Sequence, residues 1–382
     1  MRMLVLGCGL QGSACAYDLL QNPAVTQVRL ADLRVDHLPP FLAPYSGKRL
    51  LPTHLDVRDV EAVRGVMRES DAVMSAIPYY FNYELAKLAV EAGVHFADLG
   101  GNTEIVFHQK ELDAQASAKG ITVVPDCGLA PGMVNILAQY GISRLDSVSS
   151  VRIFVGGLPQ HPEPPLNYQV VYSLEGVLDY YTTLSWVLRD GTRQQVKALS
   201  EREAVQFAPP VGTLEGFHTA GGLSTLAFRY EGKIPTMEYK TLRYPGHAHI
   251  MEAIRDLGFL DLTPVEVKGN KVVPRDLATV VMGQRLTKPG GRDLVALRVV
   301  VEGTKGGKNT RLSWELVDLY DASHGISAMM RTTGYSLSIT GQLQASGEIK
   351  PAGVHTPDES VPAERYIAEL AKRGIKIVET VA

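Results

Sequence analysis

The chain has 382 residues, of which 45% are hydrophobic and 21% charged, an ordinary globular composition with enough length for two domains. Its 38 basic and 41 acidic residues leave a net charge of −3, which indicates neither a nucleic acid nor an anionic membrane as partner. Three cysteines exclude a disulfide framework, no apolar run is long enough to span a membrane, and the first predicted strand begins at residue 3. We therefore expect a reduced, cytoplasmic protein without a signal peptide.

The first 32 residues predict a dinucleotide-binding unit. An apolar strand, Met3–Leu6, runs into Gly7–Gly12, a G-x-G-x-x-G sequence that we call the glycine loop. A helix over Ser13–Leu20 and a second strand over Val28–Ala31 follow, and Asp32 ends that strand. Strand, glycine loop, helix, strand and acid occur here in the order that a Rossmann site requires.

Each residue type of the glycine loop has a physical reason. Gly7 allows the tight turn after the strand, Gly9 lets the pyrophosphate approach the backbone, and Gly12 lets the helix pack closely on the sheet. The N–H groups that open the helix, those of Leu10 and Gln11 among them, and the positive end of its dipole then face the phosphates.

Asp32 predicts the cofactor. A carboxylate at this position accepts hydrogen bonds from the ribose hydroxyls and repels a 2′-phosphate, so NAD is favoured over NADP. Arg34 weakens that preference, because a guanidinium can pair with a phosphate.

The chain up to about residue 129 continues as strands alternating with helices. Further strands are predicted at 50–57, 72–77, 94–99 and 121–124, so we expect a doubly wound parallel sheet. Ligands bind beyond the carboxyl ends of such strands. The expected cofactor contacts there, besides the glycine loop and Asp32, are Ile77, Pro78, Tyr80, Asn82, Asp98, Gly100 and Gly128.

The pattern changes to hairpins after about residue 145. Asp190-Gly191 and Gly269-Asn270 separate pairs of short strands, and two long strands are predicted at 294–301 and 312–319. This predicts an inserted α+β domain with a mostly antiparallel sheet, which would bind substrate and form a dimer. We assign 130–328 to it, and 1–129 with 329–382 to the Rossmann domain, onto which the C-terminal helices and final strand should return.

Two residues are candidates for catalysis. Asp126 follows the last parallel strand, where it can hold an amine or accept its proton, or simply cap the following helix. His218 lies in a predicted loop, where an imidazole can act as a base, although a lone loop histidine is more often a surface residue. The residues leave the base open between Asp126, His218 and water.

The substrate is expected to contact five side chains. Arg243 lies on an extended run, on the same face as Thr241 and opposite to Lys240. Its guanidinium fork matches the two oxygens of a carboxylate, which the ammonium of Lys240 does not; a surface charge or a salt bridge at a dimer contact is the alternative. The five expected contacts are Tyr79, Tyr168, Thr219, Lys240 and Arg243. No metal site is predicted, because the histidines lack ligand spacing and the pair His247 and His249 lies in a predicted loop.

Several segments resemble a known group of enzymes. The segments 76–82, 94–101 and 125–133 resemble the saccharopine dehydrogenase/reductase superfamily, and 155–168, 172–176 and 239–244 resemble its lysine 6-dehydrogenases. The resemblance covers nearly the whole chain and adds weight to 239–244 as part of the substrate site. It departs from the pattern at Cys8, where a small residue such as alanine is expected.

The resemblance implies an NAD-dependent oxidative deamination of the ε-amino group of L-lysine. The product would be 2-aminoadipate 6-semialdehyde, which cyclises to piperideine-6-carboxylate, and the enzyme would be a homodimer or a higher homo-oligomer. Two alternatives remain. One is a saccharopine- or carboxyspermidine-type reductase or dehydrogenase acting on an amino acid imine with NAD(P), and the other is a non-catalytic NAD(H)-binding regulatory protein.

Overall fold

The N-terminal half forms a parallel sheet, as predicted. The computed structural model describes all 382 residues. Its first sheet contains β1 (Arg2–Leu6), β2 (Gln27–Asp32), β3 (Leu50–His54), β4 (Ala72–Ser75), β5 (His95–Asp98), β6 (Thr122–Val124) and β17 (Gly353–Val354). The strand order is β17-β6-β5-β4-β1-β2-β3, and every pairing is parallel. The order reverses between β1 and β4, where a doubly wound sheet opens its binding crevice.

Helices connect these strands. They are α1 (Leu10–Gln21), α2 (Val60–Arg68), α3 (Asn82–Ala92), α4 (Thr103–Lys110), α5 (Asp113–Ala118) and α6 (Met133–Ile142). The segment between β5 and β6 contains two short helices, α4 and α5. Gly132 is the N-cap of α6, so Pro131 lies just before that helix.

The second sheet is mixed and mostly antiparallel, as expected. It contains β7 (Ser147–Pro159), β8 (Ser185–Arg189), β9 (Thr192–Val196), β10 (Glu203–Gln206), β11 (Thr213–His218), β12 (Thr236–Arg243), β15 (Asp293–Lys305), β16 (Lys308–Leu319) and β18 (Val378–Val381). The pairing of β12 with β7 is parallel, and the other pairings are antiparallel. The second predicted hairpin, β13 (Val265–Val267) with β14 (Asn270–Val272), forms a separate two-stranded sheet.

Seven further helices complete the fold: α7 (Leu174–Thr182), α8 (Leu226–Arg229), α9 (His247–Asp256), α10 (Pro274–Leu286), α11 (Ala328–Ala345), α12 (Pro357–Ser360) and α13 (Ala363–Lys372). His247 and His249 thus lie on α9, and their placement in a loop was wrong. None of the helices combines the length and the apolar character that crossing a membrane requires.

The C-terminal segment joins both sheets. Helix α11 packs against α1, where a Cβ on Gly334 would lie 2.7 Å from the Gln11 carbonyl oxygen, and β17 extends the parallel sheet beside β6. The final strand β18 differs from the expectation, because it pairs with β16 of the second sheet. One apolar cluster of 54 buried residues contains side chains from both sheets and from α6 and α11, so the two units share a core.

Candidate active site

The glycine loop leaves space at one position only. A Cβ on Gly7 would lie 2.7 Å from the Ala76 carbonyl oxygen, and one on Gly12 would overlap with the Gly7 carbonyl oxygen. A Cβ on Gly9 would meet nothing within 4 Å. The backbone is thus tightly packed on the sheet side and open at Gly9, which is the arrangement that a dinucleotide needs.

The first turn of α1 offers uncapped donors. No side chain caps the helix at Gly9, and the first intrahelical bond runs from Ser13 N–H to the Gly9 carbonyl. The side-chain oxygen and nitrogen of Gln11 are buried without a hydrogen-bond partner, and Leu10 is 52% exposed. Free N–H groups at a helix N-terminus and an unpartnered amide fit a bound pyrophosphate.

Asp32 lies at the rim of this loop. Its Oδ2 accepts a hydrogen bond from Cys8 N–H at 2.7 Å, and its Oδ1 accepts one from Arg34 N–H at 3.1 Å. Each carboxylate oxygen keeps a second lone pair, which can accept from a ribose hydroxyl. The Arg34 residue itself is exposed.

The loop after β4 divides into buried and exposed residues. Ile77, which precedes Pro78, packs against Gly7, and Asn82 is buried with its Oδ1 accepting from Ser75 Oγ at 2.8 Å. Tyr80 is 61% exposed. The part-buried Tyr79 is near Asn102 and near Asp179 of α7, so it faces the second unit.

Asp98 ends strand β5 and bonds to the loop and helix that follow it. It is fully buried, and it accepts hydrogen bonds from Gly100 N–H at 2.7 Å and from the Gln109 amide at 2.7 Å. Burial raises the pKa of Asp98 to about 6, although these hydrogen bonds lower it. The carbonyl of Gly128 in the neighbouring loop accepts from Ser336 Oγ of α11 at 3.0 Å.

Asp126 lies in the middle of these loops. It is 1% exposed, its Oδ1 accepts from Gly101 N–H at 3.2 Å, and its Oδ2 accepts from Ser224 Oγ. Burial, reinforced by the charge of Asp98, raises the pKa of Asp126 to about 7 against the opposing effect of the Ser224 bond. A carboxyl with that pKa can accept and return a proton near neutral pH.

Backbone strain marks the same place. Asp126 has φ +63° and its partner Ser224 has φ +50°, both in the left-handed region that residues other than glycine rarely adopt. Strained backbone tends to cluster at functional sites. Ser224 was missed by the sequence argument, since nothing in the sequence indicates that this serine meets a carboxylate 98 positions away.

His218 does not lie in a loop. It ends strand β11 and is fully buried; its Nδ1 is 3.2 Å from the Tyr239 carbonyl oxygen and its Nε2 is 3.1 Å from Glu201 Oε2. Burial lowers the pKa of His218, partly offset by the bond to Glu201. Both ring nitrogens thus have internal partners, which are the contacts of a structural histidine.

The same cluster contains the groups nearest to a metal-ligand arrangement. Potential ligand atoms of Glu201, His218 and Glu238 lie within 4.8 Å of one another. The Arg189 guanidinium, however, contacts Glu201 at 2.8 Å and Glu238 at 2.7 Å, so both carboxylates already have a cation.

Lys240 belongs to this ion network rather than to an open pocket. Its buried Nζ is 2.7 Å from the Glu201 carbonyl oxygen and 2.6 Å from Glu203 Oε1. The opposite face of β12 carries Thr241 and Arg243, as predicted from the alternation of the strand. Thr241 Oγ1 is 2.7 Å from Thr219 Oγ1, so Thr219 is fixed by a hydroxyl partner.

Arg243 is a buried cation without a carboxylate partner. It is 3% exposed, its Nε donates to Tyr181 Oη at 3.2 Å, its Nη1 donates to the Leu242 carbonyl, and its Cζ lies 4.8 Å from the Tyr168 ring centroid. The pKa of Arg243 is raised, although burial, the largest single influence, lowers it. A guanidinium keeps its proton at any working pH, so Arg243 is charged.

A second polar group beside Arg243 also lacks a partner. The Tyr168 hydroxyl is buried and makes no hydrogen bond. An uncompensated buried charge costs several kcal/mol, so a preformed cationic pocket with a spare hydroxyl suits an anionic ligand group. A carboxylate would satisfy both groups at once.

Comparison with known proteins identifies the family. Residues 3–124 match the family described as "Saccharopine dehydrogenase NADP binding domain", and residues 128–375 match "Saccharopine dehydrogenase C-terminal domain". The chain belongs to the saccharopine dehydrogenase family. The resemblance seen in the sequence is thereby confirmed at the level of the superfamily, and the description of the matched N-terminal domain supports a nicotinamide dinucleotide as the cofactor.

Relatives of this saccharopine dehydrogenase family member are distant but cover most of it. "Saccharopine dehydrogenase [NADP(+), L-glutamate-forming]" of Saccharomyces cerevisiae is 26% identical over 414 residues, covering 88% of this chain and 90% of the relative. The protein of the same name from Pyricularia oryzae is 24% identical, covering 86% and 88%. "Alpha-aminoadipic semialdehyde synthase, mitochondrial" of Mus musculus is 25% identical over 81% of this chain but only 34% of its own length.

Two solved structures share the fold. Apo saccharopine dehydrogenase (L-Glu forming) from Saccharomyces cerevisiae superposes with a TM-score of 0.81 at 22% identity, over 100% of this chain and 99% of that one. A homospermidine synthase from Legionella pneumophila, in complex with NAD, gives 0.71 at 12% identity over 100% and 91%.

Proposed function

We propose that this protein is a nicotinamide-dependent oxidoreductase that oxidises a C–N bond of an amino acid, with saccharopine as the first candidate substrate. The observation that carries the proposal is Asp126, a buried carboxyl with a pKa of about 7 at the nicotinamide end of the crevice. An amine must lose its proton before its lone pair can drive hydride departure, and Asp126 supplies the acceptor. When bound, the nicotinamide ring supplies the hydride acceptor.

Arg243 supplies the second requirement, which is orientation. Its unpaired guanidinium would bind a substrate carboxylate in two parallel hydrogen bonds, and Tyr168 would donate a third. Fixing the carboxylate end leaves the side-chain nitrogen to reach Asp126. Saccharopine-type chemistry follows from the names of the relatives that cover most of the chain.

Lysine 6-dehydrogenation is the second candidate, and one observation favours it. Saccharopine carries three carboxylates, whereas lysine carries one. Arg152, Arg189 and Lys240 are already paired with Glu201, Glu203 and Glu238, whereas Arg243 has no carboxylate partner and is left for substrate. Both reactions oxidise the ε-carbon of a lysine skeleton, so the proposed roles are the same in each.

For the cofactor we propose NAD as the preferred dinucleotide. The Asp32 carboxylate at the end of β2 supports it, while exposed Arg34 supports some use of NADP.

The test is the change in absorbance at 340 nm with purified protein, NAD or NADP, and saccharopine, L-lysine and L-ornithine in turn. Turnover of saccharopine alone supports the first candidate, and turnover of lysine alone the second. The reverse reaction, oxidation of NADH or NADPH with an aldehyde and an amino acid, covers a reductase. No turnover in either direction, with dinucleotide binding intact by calorimetry, contradicts the proposal and favours a nucleotide-binding regulatory protein.

A further inference from the structure

Helix α7 carries a hydroxyl group into the crevice that the sequence argument did not identify. Ser173 caps this helix by accepting a hydrogen bond from Gly176 N–H, and Tyr180 and Tyr181 lie in its last turn. Successive side chains of a helix point about 100° apart, so the two tyrosines face different neighbours. Tyr181 is buried against Arg243 and His247.

Tyr180 faces the loops at the carboxyl ends of the parallel strands. A Cβ on Gly101 would lie 3.0 Å from Tyr180 Oη, and a Cβ on Gly221 would lie 3.2 Å from the ring. Gly101 and Gly221 have φ +111° and +89°, so both positions require glycine for their backbone as well as for space. The ring is thus held between one loop of each unit.

Asp126 contacts the same glycine from another side. Gly101 N–H donates to Asp126 Oδ1 at 3.2 Å, while the Tyr180 hydroxyl approaches its α-carbon. The charge of Asp126 is also the strongest electrostatic influence on Tyr180, which confirms that the two groups are near one another. The Tyr180 hydroxyl makes no hydrogen bond within the protein, and burial raises the pKa of Tyr180, so the group remains a neutral hydroxyl when Asp126 ionises.

We propose that Tyr180 binds the reacting nitrogen of the substrate together with Asp126, while Tyr181, the next residue of α7, fixes the guanidinium that holds the substrate carboxylate. This inference rests on the proposed function, since it assigns a second contact to the same nitrogen. Helix α7 would then set the distance between the carboxylate and the nitrogen, because consecutive residues of one rigid element support both ends.

In the proposed reaction, proton transfer from the substrate nitrogen precedes hydride transfer from the neighbouring carbon. The substrate ammonium gives one proton to the Asp126 carboxylate, so that an N–H bond breaks and an O–H bond forms. The Tyr180 oxygen accepts a hydrogen bond from a remaining N–H of the substrate, which fixes the direction of the nitrogen lone pair and leaves that pair free. The hydrogen on the carbon next to this nitrogen then leaves with both electrons of its C–H bond, as hydride, to the oxidised dinucleotide. At the same time the nitrogen lone pair forms the C=N bond. Water then hydrolyses the resulting imine.

The test is Tyr180→Phe, which keeps the ring between its two glycines and removes only an oxygen that has no partner in the protein. We expect kcat/KM for the amine substrate to fall about 10- to 100-fold, while the Kd for the dinucleotide and the melting temperature stay unchanged. The rate of the variant should still decline below pH 7, at the same pH as in the wild type, because Asp126 is unchanged. Only the maximal rate above that pH should be lower. Tyr140→Phe is the matched control, because Tyr140 lies on α6 at the surface and bonds to Glu364.

Four other results would contradict the role of Tyr180 or the proposed function. Wild-type rates in Tyr180→Phe would overturn the role of Tyr180 and leave the proposed function intact. Weaker dinucleotide binding or a lower melting temperature in the variant would show that Tyr180 stabilises the fold instead of contacting the substrate. A shift of the pH profile would mean that it acts through Asp126 instead of contacting the substrate. An inert wild-type protein would overturn the proposed function and, with it, this inference.

Discussion

Arg243 is the side chain for which folded-state stability and substrate binding make opposite demands. A buried cation without an anion destabilises the protein that contains it, and its value appears only when a ligand supplies the anion. A guanidinium does not lose its proton in a protein, so Arg243 stays charged whether or not a ligand is bound. The residue therefore allows a test in which activity and stability should move in opposite directions.

Arg243→Met should reduce kcat/KM for the amino acid substrate about 30- to 5000-fold, since removing one partner of a buried charged contact costs roughly 2–5 kcal/mol. The melting temperature of the ligand-free variant should stay the same or rise, because the uncompensated charge is gone. Steady-state kinetics and differential scanning calorimetry measure the two effects. Arg298→Met is a useful comparison, because Arg298 has a partner in Glu315 and should lose stability instead. Unchanged kcat/KM in Arg243→Met would assign the carboxylate to another cation.

Asp126 should impose an acid limit on amine oxidation. Its pKa is about 7, and the reaction needs the carboxylate form, so kcat/KM should decline as the pH falls below 7. Asp126→Asn keeps acceptors for Gly101 and a partner for Ser224 but cannot take a proton, so the rate should drop about 10²- to 10⁴-fold and lose this pH dependence. A pH–rate profile from 5 to 9 measures both effects. An unshifted acid limb in the variant would assign the limb to another group.

The same carboxyl should affect stability with a definite sign. A pKa raised in the folded state means that the folded protein favours the protonated form, so this stabilisation is present at low pH and disappears as the pH rises through about 7. Asp126→Asn should therefore gain stability over the wild type at pH 8 and have little advantage at pH 4. Urea unfolding at the two pH values measures the difference. An equal difference at both would show that Asp126 is not protonated in the folded protein.

At the scale of elements, Gly9 of the glycine loop should matter for dinucleotide binding and not for folding. Gly9→Ala should fold with a wild-type melting temperature, because the new methyl group meets no atom of the protein, but it should weaken dinucleotide binding by blocking the backbone approach. Isothermal titration calorimetry with NAD measures the loss. Gly65→Ala on α2 is the matched control, because its methyl group also meets no atom and no cofactor is expected there. Wild-type affinity in Gly9→Ala would contradict a pyrophosphate at this glycine.

The elements also show what could be predicted from the sequence. The parallel strands were predictable because each is a short apolar run bounded by a glycine, a proline or an acid, as at Gly93 and Asp98, and the hairpins because Asp190-Gly191 and Gly269-Asn270 favour tight turns. Strand β11 was missed because Gly216 interrupts its apolar pattern and its histidine is fully buried by an ion network. The network members are far apart in sequence, so no local pattern contains them.

The candidate site was predictable to the extent that it follows from topology. The loops that carry Asp32 and Asp126 had to lie at one edge of the sheet, because parallel strands end together. Which residues of the second unit meet them depends on packing instead. Ser224 and Tyr180 come from segments more than 50 residues beyond Asp126, and their approach depends on the shared core of α6 and α11.

At the scale of the whole molecule, exposed large hydrophobic side chains are concentrated in one segment of the chain. Of the large hydrophobic side chains that are exposed, eight fall between residues 257 and 281: Leu257, Phe259, Leu262, Val265, Val267, Leu277, Val280 and Val281. We call these the α9–α10 patch. Arg275 N–H donates to the Asp261 carbonyl at 3.1 Å, so the start of α10 lies beside the segment that follows α9. A contiguous apolar patch of more than a few hundred Å² is rare on the surface of a monomer.

We expect a second copy of the chain to cover this patch. Eight side chains, each about half exposed, offer on the order of 400 Å² of apolar surface, which suits the apolar centre of an interface of about 800 Å² per partner. Light scattering at micromolar concentration should give twice 41.6 kDa for the wild type and 41.6 kDa for Val280→Glu, because a carboxylate at the centre would be buried without a partner. Val60→Glu is the matched control, since Val60 is similarly exposed at the N-terminus of α2, where a carboxylate is favourable. A monomeric wild type would contradict the dimer, and a dimeric Val280→Glu would move the interface to another surface.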